Sequence, residues 1–438
     1  MKETVIQFGE GNFLRGFFDS FLDTMNKKGI YDGKAVVIQP RAGGKCALLN
    51  AQDCKYNLYL RGIEKGEVRS EHSLIESISR AVDPYKSYEE YISLADNEDF
   101  RFIISNTTEA GIAFDESCRF EDKPCLSFPG KLTQLLYRRY EKGLNGFIFL
   151  PTELIDKNGD ELKHCILRYA NFWKLEEGFI NWIEKENVFS NTLVDRIVTG
   201  YPTDETAALH PDDKFLDTAE IFHLWVIEGN FENELPLQKA GFNVVWTDDA
   251  TPYKKIKVRI LNGAHTSIVT GALLSGVETV GECMEDETVS AFLDKCMNTE
   301  ILPTIGDNED SRQFMNSVFD RFRNPYIKHQ LRSIALNCVS KFAVRVLPTT
   351  LEYKEQNGRY PECLSLSLAY LIYFYKNDEP TDAEDIIEKM KKGTLEEILS
   401  DESLWGKDIS DMHETISSYY EKIEKLGARQ VMKEQVNV

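Results

Sequence analysis

Positive charge is scarce in this chain: 51 lysines and arginines face 72 aspartates and glutamates over 438 residues, a formal net charge of −21. That balance leaves no basic footprint for nucleic acid. An anionic small molecule would have to be met by cations gathered locally. Cysteine motifs are missing too. The nine cysteines form no CxxC pair and no cysteine–histidine cluster of zinc-finger spacing, which points to reduced thiols in a cytoplasmic protein. No apolar run is long enough to span a membrane; "LSLSLAYLIYFY" (364–375) is short, carries serines and predicts a buried helix. No apolar run of signal-peptide length precedes the first glycines. HExxH, the GxSxG elbow and a complete phosphate loop are absent. His164, His210 and His413 give no metal-ligand spacing, so the expected site uses no metal.

What is present has the rhythm of an α/β protein. "TVIQFGEGNFLRGFFDSFLDTM" reads as strand, tight turn and helix. "KAVVIQP" (34–40), "KYNLYLRGI" (55–63), "RFIISNTTEAGI" (101–112) and "NGFIFLPTELI" (145–155) read as further strands, with 72–100 as loop and helix. Strands alternating with helices predict an N-terminal Rossmann-type domain built on a doubly wound parallel sheet. From about Ala250 helical patterns dominate. The turn-rich "WTDDATPYKK" (246–255) marks a boundary, giving domains at 1–250 and 251–438, the second mainly α-helical.

The first glycine segment is a candidate dinucleotide site. Gly9 and Gly11 stand between a strand and a helix, where glycine lets a pyrophosphate approach the helix N-terminus. The third glycine position of GxGxxG holds Leu14, and an ordinary strand–helix turn gives the same signal. The carboxylate expected after the second strand is replaced by Gln39, so the residues alone do not separate NAD from NADP. "PRAGGKCA" (40–47) reads as a surface loop with room for a role near the adenosine ribose. Ser105, Asn106 and Thr107 end another strand and could line the nicotinamide half or cap the following helix.

The strongest constellation is "KVRILNGAHT" (257–266). On a helix of about 100° per residue, Lys257, Asn262 and His265 fall within roughly two-fifths of the circumference, interleaved with Val258, Leu261 and Ile268. A lysine on a partly apolar face loses hydration, which disfavours its charged form. Such a lysine can exchange a proton with an alcohol or carbonyl oxygen. Asn262 could donate to that oxygen, and His265 could bond the substrate or orient the lysine. A snorkelling lysine beside a satisfied polar pair fits the same geometry.

"QFGEGNFLRGF", "SNTTEAGI", "LPTELIDKNGDEL", "NTLVDRIVTGYP", "FHLWVIEG", "KVRILNGAHT", "RFRNPYIKH" and "SKFAVRVLPT" together resemble the mannitol dehydrogenase family of long-chain polyol and hexuronate dehydrogenases, over nearly the whole chain. The resemblance implies NAD held by Ile6, Gln7, Phe8, Gly9, Gly11, Asn12, Phe13, Leu14, Arg15, Gln39, Ser105, Asn106, Thr107 and Glu109. It implies Lys257 as general acid/base, completed by Asn262 and His265. Likeness to the hexuronate branch implies a small keto-acid substrate touched by Glu153 and Asp195, its carboxylate met by Lys341 and Arg345. Two positions depart from the polyol members: Leu154 stands where they carry an oxyanion-binding asparagine, and Ser333 where they carry a substrate arginine. A polyol substrate, or a scaffold that binds nucleotide without catalysis, is the competing reading. The oligomeric state is left open.

Overall fold

The computed structural model describes residues 1–436. The chain forms two compact units: residues 1–61 with 69–250, and residues 62–68 with the chain from Thr251 onward. The strands run β1 (Lys2–Phe8), β2 (Gly33–Ile38), β3 (Tyr56–Glu64), β4 (Glu67–Ile75), β5 (Ile78–Val82), β6 (Phe102–Ser105), β7 (Ile148–Pro151) and β8 (Val188–Phe189). They continue as β9 (Thr192–Asp195), β10 (Val198–Gly200), β11 (Asp217–Glu220), β12 (Leu224–Glu228) and β13 (Val244–Thr247).

The central sheet of the first unit has the order β5-β2-β1-β6-β7-β8, with every neighbouring pair parallel. Within this sheet the chain visits strands in the doubly wound order 3-2-1-4-5-6, and the winding reverses between β1 and β6. Both faces are buried, as a parallel sheet requires. Ile6 and Phe8 of β1 pack with Val36, Ile103, Phe149 and Leu132 on one side. Val5 packs with Phe18, Phe21, Ile104 and Leu150 on the other.

The sequence expectation is corrected at the third strand. Residues 55–63 do form β3, but in a separate four-stranded sheet of order β10-β11-β3-β4. The third strand of the parallel sheet is β5, from the stretch expected to be loop and helix. The physical sign was in the pattern: β3 alternates buried Tyr56 and Leu58 with half-buried Asn57 and Tyr59, which suits a sheet with one wet face rather than two dry ones. β5 has only five residues, ISRAV, too short for periodicity to register.

A three-stranded sheet, β13-β12-β9, puts the fully buried Trp225 against Phe17, Phe18 and Phe21. This contact backs the helices that follow the glycine turn.

The second unit is helical around one extended core. At its centre the helix Glu362–Asn377, which contains the long apolar run, packs on the helix Gly263–Leu274. Gly271 permits that approach: a Cβ there would lie 2.7 Å from Tyr370 Cδ2. Among the described residues no helix is long and apolar enough to cross a membrane.

Candidate active site

The glycine turn sits at the point where the sheet reverses. Gly9 donates its N–H to the Ile38 carbonyl of β2 (3.0 Å), and Asn106, just beyond β6, donates to the Phe8 carbonyl (3.0 Å). Gly9 has φ +124°, and a Cβ on it would lie 2.8 Å from the Asn106 carbonyl oxygen. Only glycine fits both demands. The result is a cleft of about 510 Å³, lined by Gly9 to Phe13, Arg15, residues 40–45 and Asn106 to Thr108. Bare backbone at the mouth of a doubly wound sheet suits a dinucleotide pyrophosphate.

Of the residues expected at the cofactor, Gly9, Gly11, Asn12, Phe13, Arg15, Asn106 and Thr107 line this cleft. Ile6, Gln7, Phe8 and Leu14 lie beneath it in the core. Arg15 works as a brace: its guanidinium donates to the Glu10 carbonyl (2.7 Å) and to Asn12 Oδ1 (2.8 Å), and pairs with Asp217 at 3.5 Å. Gln39 is turned inward, 1% exposed, and its Oε1 accepts the Cys46 N–H. Glu109 is exposed and lies outside the lining. The capping alternative for 105–107 is overturned. The segment runs into a loop, and the next helix, Phe128–Glu141, is capped by Ser127. Glu10, Arg41, Lys45 and Thr108 line the cleft without having been assigned from sequence; the turn and loop that carry them were visible there, but not which side chains would face inward.

The end of β6 is fixed by Glu153. This carboxylate is 2% exposed. Its Oε1 accepts both the N–H and the hydroxyl of Thr107 (2.9 Å each), and its Oε2 accepts the Ser105 hydroxyl (3.0 Å). Burial pushes its carboxyl above the usual range, opposed by those three donors. Asn106 Nδ2 in turn donates to the carbonyl and hydroxyl oxygens of Thr152. Glu153, expected to touch substrate, is therefore occupied with shaping the strand end, while neighbouring Leu154 is exposed. Asp195 closes β9 and is buried.

A polar cluster lies under the turn. Gln7 Nε2 donates to the Gly9 carbonyl (3.1 Å) and to Asp19 Oδ2 (3.3 Å). Burial pushes the carboxyls of Asp19 and Asp217 each up to about 7, only partly opposed by Arg15. Between the ordinary carboxylate value of about 3.9 and this value, the folded state binds more protons than the unfolded chain, so this contribution to stability is lost as pH rises through the window. Asp19→Asn should flatten the dependence. From about pH 5 to about pH 8 the parent's unfolding midpoint should fall more steeply than the variant's in calorimetry. Parallel slopes would remove Asp19 from the account.

In the second unit the helix expected through 257–268 is interrupted. Thr251–Lys257 is α-helical, Val258–Asn262 is a π-turn, and the α-helix resumes at Gly263. The Gly263 N–H reaches the Val258 carbonyl, an i→i+5 bond. The wider turn brings Asn262 round closer to the direction of Lys257 than the about 140° of an unbroken α-helix. Packing holds the turn. Buried Arg259 donates to Thr349 Oγ1 (2.7 Å) and Glu352 Oε1 (2.9 Å), and Gly263 lies on the Arg345 carbonyl, where a Cβ would sit at 3.4 Å.

The half-buried His265 ring stacks on Phe322 (4.2 Å) and meets His329 edge-on (5.3 Å). Burial, then the fields of His329, Arg321 and Arg345, hold its imidazole well below the ordinary range, so it is neutral. Lys341 and Arg345 lie one turn apart on the helix Cys338–Arg345, and burial lowers both. Lys341 Nζ donates to the Ile334 carbonyl (3.0 Å). The sequence had pointed to Lys341, Arg345 and His265; Arg321 and His329 join them. Both lie in "RFRNPYIKH", a stretch notable in sequence without roles assigned. Arg321, Lys341 and Arg345 thus make a local gathering of cations around the two histidines in a chain of net charge −21. Neither Asn262 nor His265 spends a side-chain nitrogen or oxygen on a hydrogen bond to any described residue.

A doubly wound sheet with a glycine turn at its reversal, and a helical unit carrying a lysine, an amide and a neutral imidazole on one π-interrupted helix, define a Rossmann-type oxidoreductase of two units. The chain belongs to the mannitol dehydrogenase family: the family's Rossmann domain matches residues 3–239 and its C-terminal domain residues 249–427. The altronate oxidoreductase of Bacillus subtilis (strain 168) is 44% identical over 99% of this chain and 95% of its own. That of Escherichia coli O6:K15:H31 (strain 536 / UPEC) is 46% identical over 86% and 80%. A substrate-free D-sorbitol dehydrogenase crystal structure shares the fold at a TM-score of 0.87 and 22% identity, over 99% of this chain and 95% of that one. The ternary complex of Pseudomonas fluorescens mannitol 2-dehydrogenase with NAD and D-mannitol aligns at 0.74 and 23% identity, over 100% and 95%.

Proposed function

We propose that this chain is an NAD-dependent oxidoreductase that interconverts D-tagaturonate and D-altronate. The name altronate oxidoreductase, carried by relatives 42–46% identical, supports the substrate. The observation that supports the reading best is the π-interrupted helix, which carries Lys257, Asn262 and His265 in succession, with Arg321 and Arg345 acting on His265.

NAD, when bound, exchanges hydride with the substrate carbon. The bare turn at Gly9 and Gly11, with Asn12 and the strand end fixed by Glu153, holds the dinucleotide in the first unit. In the second unit Lys257 exchanges the proton of the substrate oxygen. Asn262 donates a hydrogen bond to that oxygen, and neutral His265 orients the hydroxyl through a hydrogen bond without carrying charge. Lys341 and Arg345 face the hexuronate carboxylate, a task suited to half-buried cations. Nine buried, unpaired cysteines fit a reducing, cytoplasmic setting.

Purified protein should oxidise NADH with tagaturonate at least about tenfold more efficiently than with fructuronate, and mannitol and arabinitol should give little reduction of NAD. Equal or better rates with another of these substrates would reassign it. No turnover with any of them would leave only a nucleotide-binding scaffold.

A further inference from the structure

We infer that Glu10 is the residue that selects NAD(H) over NADP(H) in this chain, supplying from the glycine turn the carboxylate that the second strand lacks. The inference rests on the dinucleotide reading of the first-unit cleft.

In Rossmann-type sites a carboxylate after the second strand bonds the adenosine ribose 2′-hydroxyl, whereas a cation there accepts a 2′-phosphate. Here the strand β2 is followed by Gln39, neutral, buried and already bonded to the Cys46 N–H. That position has neither the charge nor the exposure for the task. Among the described residues lining the cleft, Glu10 is the one carboxylate.

Its side chain reaches the place where the missing group would act. Glu10 Oε1 accepts the Lys45 N–H at 3.2 Å, on the loop that follows β2. The same oxygen lies so close to Gly44 that a Cβ on Gly44 would collide with it and with the Gln39 side chain. Gly44 is therefore bare so that the loop can close over Gln39 and receive Glu10. From the other side, Arg15 holds the Glu10 carbonyl at 2.7 Å. Glu10 Oε2 has no protein donor among the described residues, and is the acceptor left for a ribose hydroxyl.

Arg41 and Lys45 line the same loop and would attract a 2′-phosphate. Both side chains are exposed, so water and salt screen them. Glu10 is half-buried and held by a backbone donor. A phosphate monoester carries a charge of about −1.5 to −2 at neutral pH, so the fixed carboxylate repels it while accepting a bond from the hydroxyl.

The test is fluorescence titration of the full chain with NADH and with NADPH. The parent should bind NADH about tenfold or more tightly than NADPH, and Glu10→Gln should shrink that ratio about tenfold, mainly by tightening NADPH. Glu10→Asp keeps the charge and should retain most of the preference. A parent without preference, or a folded Glu10→Gln protein with the parental ratio, overturns the inference. Should Glu10→Gln fail to fold, salt dependence in the parent decides: a charge-based preference narrows as ionic strength rises, and one indifferent to salt overturns it. Absence of NADH binding by the parent would instead bring down the dinucleotide reading itself, and this inference with it.

Discussion

The Lys257→Ala protein is expected to reduce tagaturonate about 10²–10⁴-fold more slowly than the parent while binding NADH equally well. The size follows from the chemistry. Adding hydride to a ketone leaves an alkoxide-like oxygen, which must gain a proton as charge develops. His265 cannot deliver it, because burial and the neighbouring cations keep its imidazole neutral. Asn262 can stabilise the oxygen by a hydrogen bond but has no proton to yield. Lys257 is the remaining acid of the proposed trio, and it lies directly before the π-turn that ends at Asn262. The split between steps is the discriminating readout. kcat should collapse with the NADH dissociation constant unchanged, since Lys257 is not among the residues that line the nucleotide cleft. Turnover within tenfold of the parent, at normal NADH affinity, would strip Lys257 of its role.

Gly9→Ala should have the second-largest effect, on both stability and cofactor binding. At φ +124° an alanine is strained whatever surrounds it, and its Cβ would meet the Asn106 carbonyl oxygen at 2.8 Å. Strain of this kind costs about 1–3 kcal/mol, and each kcal/mol lowers the unfolding midpoint of a unit this size by about 2–4 °C. To relieve the collision, the ends of β1 and β6 must separate. That moves Asn106 and Thr107 away from the turn, and NADH affinity should drop by an order of magnitude or more. Calorimetry and NADH titration read the two effects separately. Parental midpoint and affinity together would mean that the turn yields at no cost. Gly11, whose Cβ would meet nothing within 4 Å, is the natural control and should tolerate alanine better.

These two residues also show where sequence reasoning reaches its limit. Gly9 was legible because its chemistry is local: a strand, a turn that only glycine makes, and a helix follow one another between Lys2 and Gly16. Lys257, Asn262 and His265 were legible as a spacing, and the two-unit α/β and α-helical organisation as a change of texture near residue 250. The π-turn was not, because five residues of an apolar helix look alike whether the bond closes at four or five; Arg259 bonding Thr349 and Glu352, ninety residues away, fixes it. The exchange of β3 for β5 in the parallel sheet was decided by non-local pairing of β5 with β2.

The sequence by itself determined which residues could do chemistry and the local turns that carry them, because glycine conformations and helical spacing are properties of neighbours along the chain. Only tertiary structure decided which candidates face a cleft. Gln39 turned inward and Glu10 came forward because Gly44 lets the loop close on both. Phe322 and His329 joined His265 because a segment distant in sequence packs beside it. Orientation and long-range charge depend on packing, which no single stretch of sequence contains.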